Sequence, residues 1–278
     1  MSQALHSNRT PSFSDAEWAV RVDLAAAYRL IAHFEMDDSI YTHISARVPH
    51  DGPAETDPHH FLINPFGMLF GEVTASSLVK IDMDGNIVGD SDYGVNAAGF
   101  TIHSAVHMAR HDVGCVLHTH TREGVAVSCQ RDGLLPLNQW SLQFYNRIAY
   151  HDYEGIALDL EERERLIADL GDKWVMILRN HGLVTCGATV RGAFALMYNL
   201  NRACKAQIDI QSSGAPVIAL SPDVCELTAR QYEGSDKFDE MASEPGSERT
   251  PGRPNPSDME WEAFLRRLDP TPAPNWRS

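Results

Sequence analysis

Two histidines one residue apart close an apolar run: in GCVLHTHT, residues 114–121, His118 and His120 follow Val116 and Leu117. A short run of this kind, flanked by glycine and polar residues, predicts an interior strand. In a strand, residues i and i+2 point to the same side, so both imidazoles lean together where the strand leaves the core. That arrangement suits a metal ion. A second apolar run, VMIL, ends in RNHG and delivers His181 at the end of another strand, with Gly182 permitting a tight turn beside it. Two histidines from one strand end and one from a second give three neutral nitrogen ligands with a position left for water or substrate, as in catalytic metal sites. Three imidazoles suit zinc, iron, cobalt, nickel or copper. Spacing alone leaves a second reading open, in which the three rings are hydrogen-bonded at the edge of a core. His103 and His107, four apart on an expected helix, form a pair that can also share an ion. No glutamate follows the first, and that helix has to pack, so they read as packing residues.

The elements that must position these rings follow from the pattern around them. Ser14 or Asp15 caps a helix running to about Phe34, with Trp18, Val22, Ala25, Leu30 and Ile31 at helical spacing. YTHISARVP and HFLINPFGMLFGEV read as strand segments separated by an Asp/Pro/His-rich loop over 49–59. LVKIDMDGNIVG reads as a hairpin turning on Asp84-Gly85. Residues 97–110 fit a helix leading into CVLHTH, and residues 161–170 a charged helix before the strand WVMILRNHGLVTCG. Thr189 caps a long helix through about Ile210, while the aromatic stretch NQWSLQFYNRIAYHDYEG has no clear period. Strands and helices alternate without a strict βαβ rhythm, and no G-x-G-x-x-G follows a strand, so a three-layer α/β or α+β class fits better than a Rossmann fold. Residues 1–14 read as a flexible leader, 15–234 as the folded domain, and 235–278 as a Pro/Gly-rich linker with a short docking helix. The apolar stripe of that helix, Trp261, Phe264, Leu265 and Leu268, needs a surface. A neighbouring subunit and the chain's own domain serve equally.

Acidic residues outnumber basic ones by 38 to 23, and the net charge of -15 argues against nucleic acid or an anionic membrane as partner. The N-terminal residues contain no apolar signal region and no run reaches membrane-spanning length, so a cytoplasmic protein is expected. Five cysteines, widely spaced and without a C-x-x-C pair, read as reduced core residues.

Together, CVLHTHT, the downstream RNHG, and the preceding YTHISARV and INPFGMLFGEV resemble the class II aldolase and adducin N-terminal domain family over about residues 16–225. The resemblance implies a three-layer α/β/α sandwich around a largely antiparallel sheet. It makes His118, His120 and His181 ligands of a divalent metal, zinc being the expected ion and iron(II) or manganese(II) the alternatives. It also implies a homotetramer with pockets shared between subunits. In the family's sugar-phosphate aldolases a glutamate nineteen residues before the first metal histidine moves the proton; here that position is Gly99, preceded by Ala97 and Ala98 where a serine pair helps hold phosphate. The phosphate loop's Gly-Asn pair corresponds to Thr42-His43. A sugar phosphate is therefore not the expected substrate.

By that resemblance the expected function is a metal-dependent lyase, cleaving a C–C bond of a non-phosphorylated carbonyl or hydroxy-acid substrate by aldol cleavage or decarboxylation. His43, at the substrate pocket by alignment, is the preferred base; His103, Tyr145 and Tyr150 are the other candidates for the missing proton-transfer group. Decarboxylation needs no abstracting base and fits Gly99 better than aldol cleavage does. Two alternatives stand beside it: a non-haem iron oxygenase acting on aromatic α-keto or α-hydroxy acids, and a non-catalytic adducin-like binding module.

Overall fold

The computed structural model describes residues 13–50, 52–53, 56–155, 161–233, 256–268 and 275–278. Helix α1 (Asp15–His33) starts at the Ser14 cap, whose hydroxyl accepts a hydrogen bond from the Glu17 amide at 3.1 Å. Asp15 and Glu17 in its first turn complement the positive end of the helix. Its buried Arg21 pairs with Glu17 at 2.9 Å and donates to the carbonyls of Ala75 and Leu78, tying α1 to the loop before the third strand.

The other helices are α2 (Ala97–Ala109), α3 (Arg122–Ser128), α4 (Gln139–Leu142), α5 (Glu162–Leu170), α6 (Val190–Ser213), α7 (Pro222–Tyr232) and α8 (Pro256–Leu268). The strands are β1 (His43–Arg47), β2 (Phe61–Ile63), β3 (Val79–Ile81), β4 (Cys115–Thr119), β5 (Ile148–His151), β6 (Val175–Leu178) and β7 (Gly182–Gly187). They form one sheet in the order β3-β2-β1-β4-β7-β6-β5. Every pairing is antiparallel except β5 with β6. Helices α1, α3, α6 and α8 belong to one side of the sheet and α2 and α5 to the other, giving the expected α/β/α layering.

Strand alternation assigns the faces. In β4, Cys115 and Leu117 join the core under α1 and α6, while Val116 joins the core under α2 and α5. In β1, Ile44 and Ala46 take the α1 side, which leaves His43, Ser45 and Arg47 on the face toward α2. The register places His43 opposite His118 and Ser45 opposite Val116. One face of two neighbouring strands is therefore apolar and the other carries the polar residues of the site.

Tyr28 holds β1 and β2 in place beside that site. Its ring is fully buried, edge-on to Phe70. Its hydroxyl accepts from the amides of Ile44 at 2.7 Å and Asn64 at 3.0 Å, and faces the Ile44 carbonyl and Asn64 Oδ1. Tyr28→Phe strands two buried backbone donors, and a buried donor without a partner costs about 1–3 kcal/mol. The variant is expected to lose roughly 2–4 kcal/mol in urea unfolding; a midpoint equal to that of the parent would contradict the assignment.

Several elements differ from the sequence pattern. WVMILRNHGLVTCG is two antiparallel strands, β6 and β7, joined by a turn in which Asn180, not Gly182, takes the left-handed conformation at φ 55°. In HFLINPFGMLFGEV only Phe61–Ile63 is strand; the rest is turn, with a 3-10 segment at Phe70–Glu72. The LVKIDMDGNIVG hairpin is reduced to β3 and a single bridge between Ile81 and Ile87. The aromatic stretch contains α4 and the edge strand β5.

Residues 1–12 of the leader, 234 at the end of the domain, and 235–255 and 269–274 of the C-terminal segment lie outside the described residues. Helix α8 packs on the chain's own α1 and α6. Trp261 and Leu268 are buried there, and Phe264 lies 5.6 Å from Phe34 and 5.0 Å from Tyr198, centroid to centroid. Burying each such side chain contributes about 1.5–3 kcal/mol. All five cysteines are free, and Cys129 alone of them is exposed.

Candidate metal centre

Strand β4 leaves the sheet at Thr119, and the residues on either side, His118 and His120, turn their rings toward the β6–β7 turn that carries His181. The Nε2 atoms of His118 and His120 are 2.8 Å apart, and those of His120 and His181 3.0 Å. Ligand atoms of all three residues fall within 4.8 Å of one another. Two nitrogens bound at ~2.0–2.1 Å to one tetrahedral ion lie about 3.3 Å apart, a few tenths of an ångström wider than the spacing here.

The second nitrogen of each β4 ring shows what the first must be. His118 Nδ1 donates to the Leu183 carbonyl at 2.9 Å, and His120 Nδ1 to the Asp38 carboxylate at 2.9 Å. A neutral imidazole carries one proton, so both Nε2 atoms present lone pairs. Two lone pairs facing each other at 2.8 Å repel unless a cation lies between them, and a carbonyl or carboxylate behind each ring is the usual support for a ligating histidine. The donor set fits a divalent cation. Burial, with the neighbouring rings of His120, His181 and His43, pushes His118 well below the usual histidine range, and burial with His120 pushes His181 down to about 4. Both of these rings are held neutral at pH 7, as ligation requires.

Gly182 matters for space rather than for its backbone angle. A Cβ there would meet the Thr119 carbonyl at 2.5 Å, His120 Cδ2 at 3.1 Å and His118 Cε1 at 3.3 Å. Only hydrogen lets the turn approach both β4 rings.

Next to the three rings lies a second set. His43 Nδ1 is 2.7 Å from His103 Nε2, and the His43 ring is 5.1 Å from that of His118. His103 Nδ1 is 2.6 Å from Ser45 Oγ, which is 2.8 Å from His107 Nε2. His43, His103 and His107 are all buried, and desolvation drives each far toward the neutral form, His107 down to about 3.

Of the residues singled out from sequence, the fold brings together His118, His120, His181, His43 and His103. His107, read as a packing residue, joins the polar chain through Ser45. Tyr150 does not join them within one chain, since its hydroxyl accepts from the Leu134 amide at 3.2 Å under the Arg179 guanidinium, while the Tyr145 backbone carbonyl accepts from Arg147. The side chains of Ala97, Ala98 and Gly99 lie outside the described residues. Sequence reasoning missed Asp38, Ser45 and Tyr153. Tyr153, more than half exposed, has its ring 6.3 Å from that of His181, at the open side of the cluster. The YTHIS motif, with His43 and Ser45 two apart on one strand face, held the signal for Ser45; nothing local marked Asp38.

A three-layer fold with three converging histidines at the end of its central strands defines the class. The chain belongs to the class II aldolase and adducin N-terminal domain family, whose model matches residues 22–208. It is similar to an aldolase II superfamily protein from Pseudomonas syringae, 50% identical, covering 96% of this chain and 98% of that one with a TM-score of 0.80. It is also similar to the L-fuculose 1-phosphate aldolase of Glaciozyma antarctica PI12, 25% identical over 94% of this chain and 95% of that one, TM-score 0.73. Alpha-adducin of Rattus norvegicus is 40% identical over 93% of this chain, which spans 34% of adducin's length. Among the described residues no helix is long and apolar enough to cross a membrane.

Proposed function

We propose that this chain is a metal-dependent lyase acting on a non-phosphorylated carbonyl or hydroxy-acid substrate, by aldol-type cleavage or decarboxylation. The facing Nε2 lone pairs of His118 and His120, completed by His181, carry this reading. A divalent ion held there, zinc first and iron(II) or manganese(II) as alternatives, supplies Lewis-acid polarisation of a substrate oxygen. Asp38 and Leu183 keep the ligand rings oriented. His43 borders the centre on one side and Tyr153 on another. Thr42, the residue at the family's phosphate loop, is fully buried and is not available to a phosphate group, which supports a non-phosphorylated substrate. The reading includes a cytoplasmic homo-oligomer, a tetramer by family resemblance.

The alpha-adducin likeness favours one second reading, a binding module without turnover. Elemental analysis of protein purified without chelator separates the two. The lyase reading expects about one divalent ion per chain, loss of that ion in His118→Ala and His181→Ala, and oxygen-independent C–C cleavage across a panel of hydroxy and keto acids. Metal-free protein with a melting temperature indifferent to EDTA would favour the binding module. Cleavage that requires oxygen would point to the iron oxygenase instead.

A further inference from the structure

The four groups beside the centre form a single hydrogen-bonded file: His43, His103, Ser45, His107. Each neutral imidazole has one N–H and one lone pair, and a hydroxyl has one proton to give. Such a file satisfies its members only when every donor points the same way. Two directions exist, and they put the proton on opposite nitrogens of His43.

The far end decides between them. His107 Nδ1 is buried and has no hydrogen-bond partner. The Val113 backbone stands near the ring and favours the charged form, but it makes no hydrogen bond of normal geometry to Nδ1. A buried lone pair without a partner is tolerated far better than a buried N–H without one. His107 then keeps its proton on Nε2 and donates to Ser45. Ser45 donates to His103 Nδ1, and His103 Nε2 donates to His43 Nδ1. The Arg47 guanidinium, which donates to the His107 carbonyl at 2.6 Å, disfavours a second proton on that ring.

We propose that Ser45 and His107 are positioning residues that fix His43 as the Nε2–H tautomer, so that His43 offers the centre a hydrogen-bond donor and is neither a base nor a fourth metal ligand. With Nδ1 accepting from His103, Nε2 is the one nitrogen of His43 left for the centre. A fixed N–H beside a polarised substrate oxygen stabilises negative charge that builds there. The proposal rests on the lyase reading for the use of this donor but not for its existence. It also accounts for a ligand set of three although a fourth imidazole stands 5.1 Å from His118. It reverses the expectation from sequence that His43 is the base.

Long-range proton–nitrogen correlation spectra of zinc-loaded, 15N-histidine-labelled protein at neutral pH test this directly. The His43 peaks are assigned by their loss in His43→Gln. The expected pattern is a protonated Nε2 and an unprotonated Nδ1 on His43, His103 and His107. Ser45→Ala should mix the His43 and His103 tautomers with zinc content unchanged, and Ser45→Thr should restore the single pattern. A proton on Nδ1 of His43 overturns the proposal, as does a His43 pattern indifferent to Ser45→Ala. Should Ser45→Ala fail to fold, the parent spectrum alone decides the tautomer. The expected tautomers in a protein without lyase turnover would overturn the functional reading and leave this assignment standing.

Discussion

Gly182→Ala is expected to abolish stoichiometric metal retention, although alanine supplies no competing polar group and the three histidines remain. The added methyl would stand 2.5 Å from the Thr119 carbonyl, inside contact distance, and just over 3 Å from both β4 imidazoles. Neither obstacle yields cheaply. The carbonyl belongs to the β4–β7 pairing, where Thr119 lies opposite Leu183, and the rings are held from behind by Leu183 and Asp38. The turn must therefore move away from β4, taking His181 with it. Overpacking of this kind costs about 1–3 kcal/mol, and a metal site tolerates displacements of only about 0.2 Å in its ligand distances. Gly71→Ala, where an added Cβ meets nothing within 4 Å, is the control. Metal content near one per chain in Gly182→Ala, with unchanged thermal stability, would contradict this account of the turn.

The second large effect is a steep loss of stability in mild acid, best seen in chelator-treated protein. His43, His103 and His107 are held neutral in the fold by burial, His107 with its protonation pushed down to about 3. In the unfolded chain a histidine titrates near 6.5. Between those values the unfolded state binds protons that the folded state refuses, so stability rises with pH. The neutral rings' contribution is complete above pH 6.5 and is lost as pH falls toward the folded values. For His107, the withheld proton costs about 1.4 kcal/mol per pH unit, or roughly 2 kcal/mol at pH 5. His43 and His103, lowered by burial and joined to the same hydrogen-bonded file, act in the same direction. The melting temperature should fall sharply between pH 6.5 and 5, less so in His107→Gln, which removes one titrating group. A flat profile over that range would show that the chain accommodates protons internally.

How far the sequence carried this picture depended on whether each signal was local. The metal-binding geometry was legible because HTH and RNHG each end an apolar run, and two-residue alternation forces His118 and His120 to one side. Helix α1 was legible from its Ser14 cap, and α6 from Thr189. The β6–β7 turn was misplaced because its left-handed residue is Asn180, whereas the spacing had pointed to Gly182. Strand β5 escaped notice for a different reason. It is four residues long, half of them partly exposed, and its parallel partner β6 lies beyond a whole helix in sequence. Asp38 and Ser45 gain their roles only from partners 82 and 58 residues away, a distance no spacing rule bridges. The C-terminal stripe announced that it would dock, but only the rings of Phe34, Phe194 and Tyr198 said where.

His120 and His181 lie 61 residues apart along the chain, and α3, α4, β5, α5 and β6 all run between them. An ion shared by those two rings is thus also a cross-link that closes a long loop. Restraining such a loop takes more entropy from the open ensemble than restraining a short one. Amide hydrogens on β5, β6 and α5, far from any ligand, should consequently exchange more slowly in the loaded protein, while those on β2 and β3 keep their pace. A centre read first as chemistry would then also act as a clasp, setting how often half of the sheet comes undone.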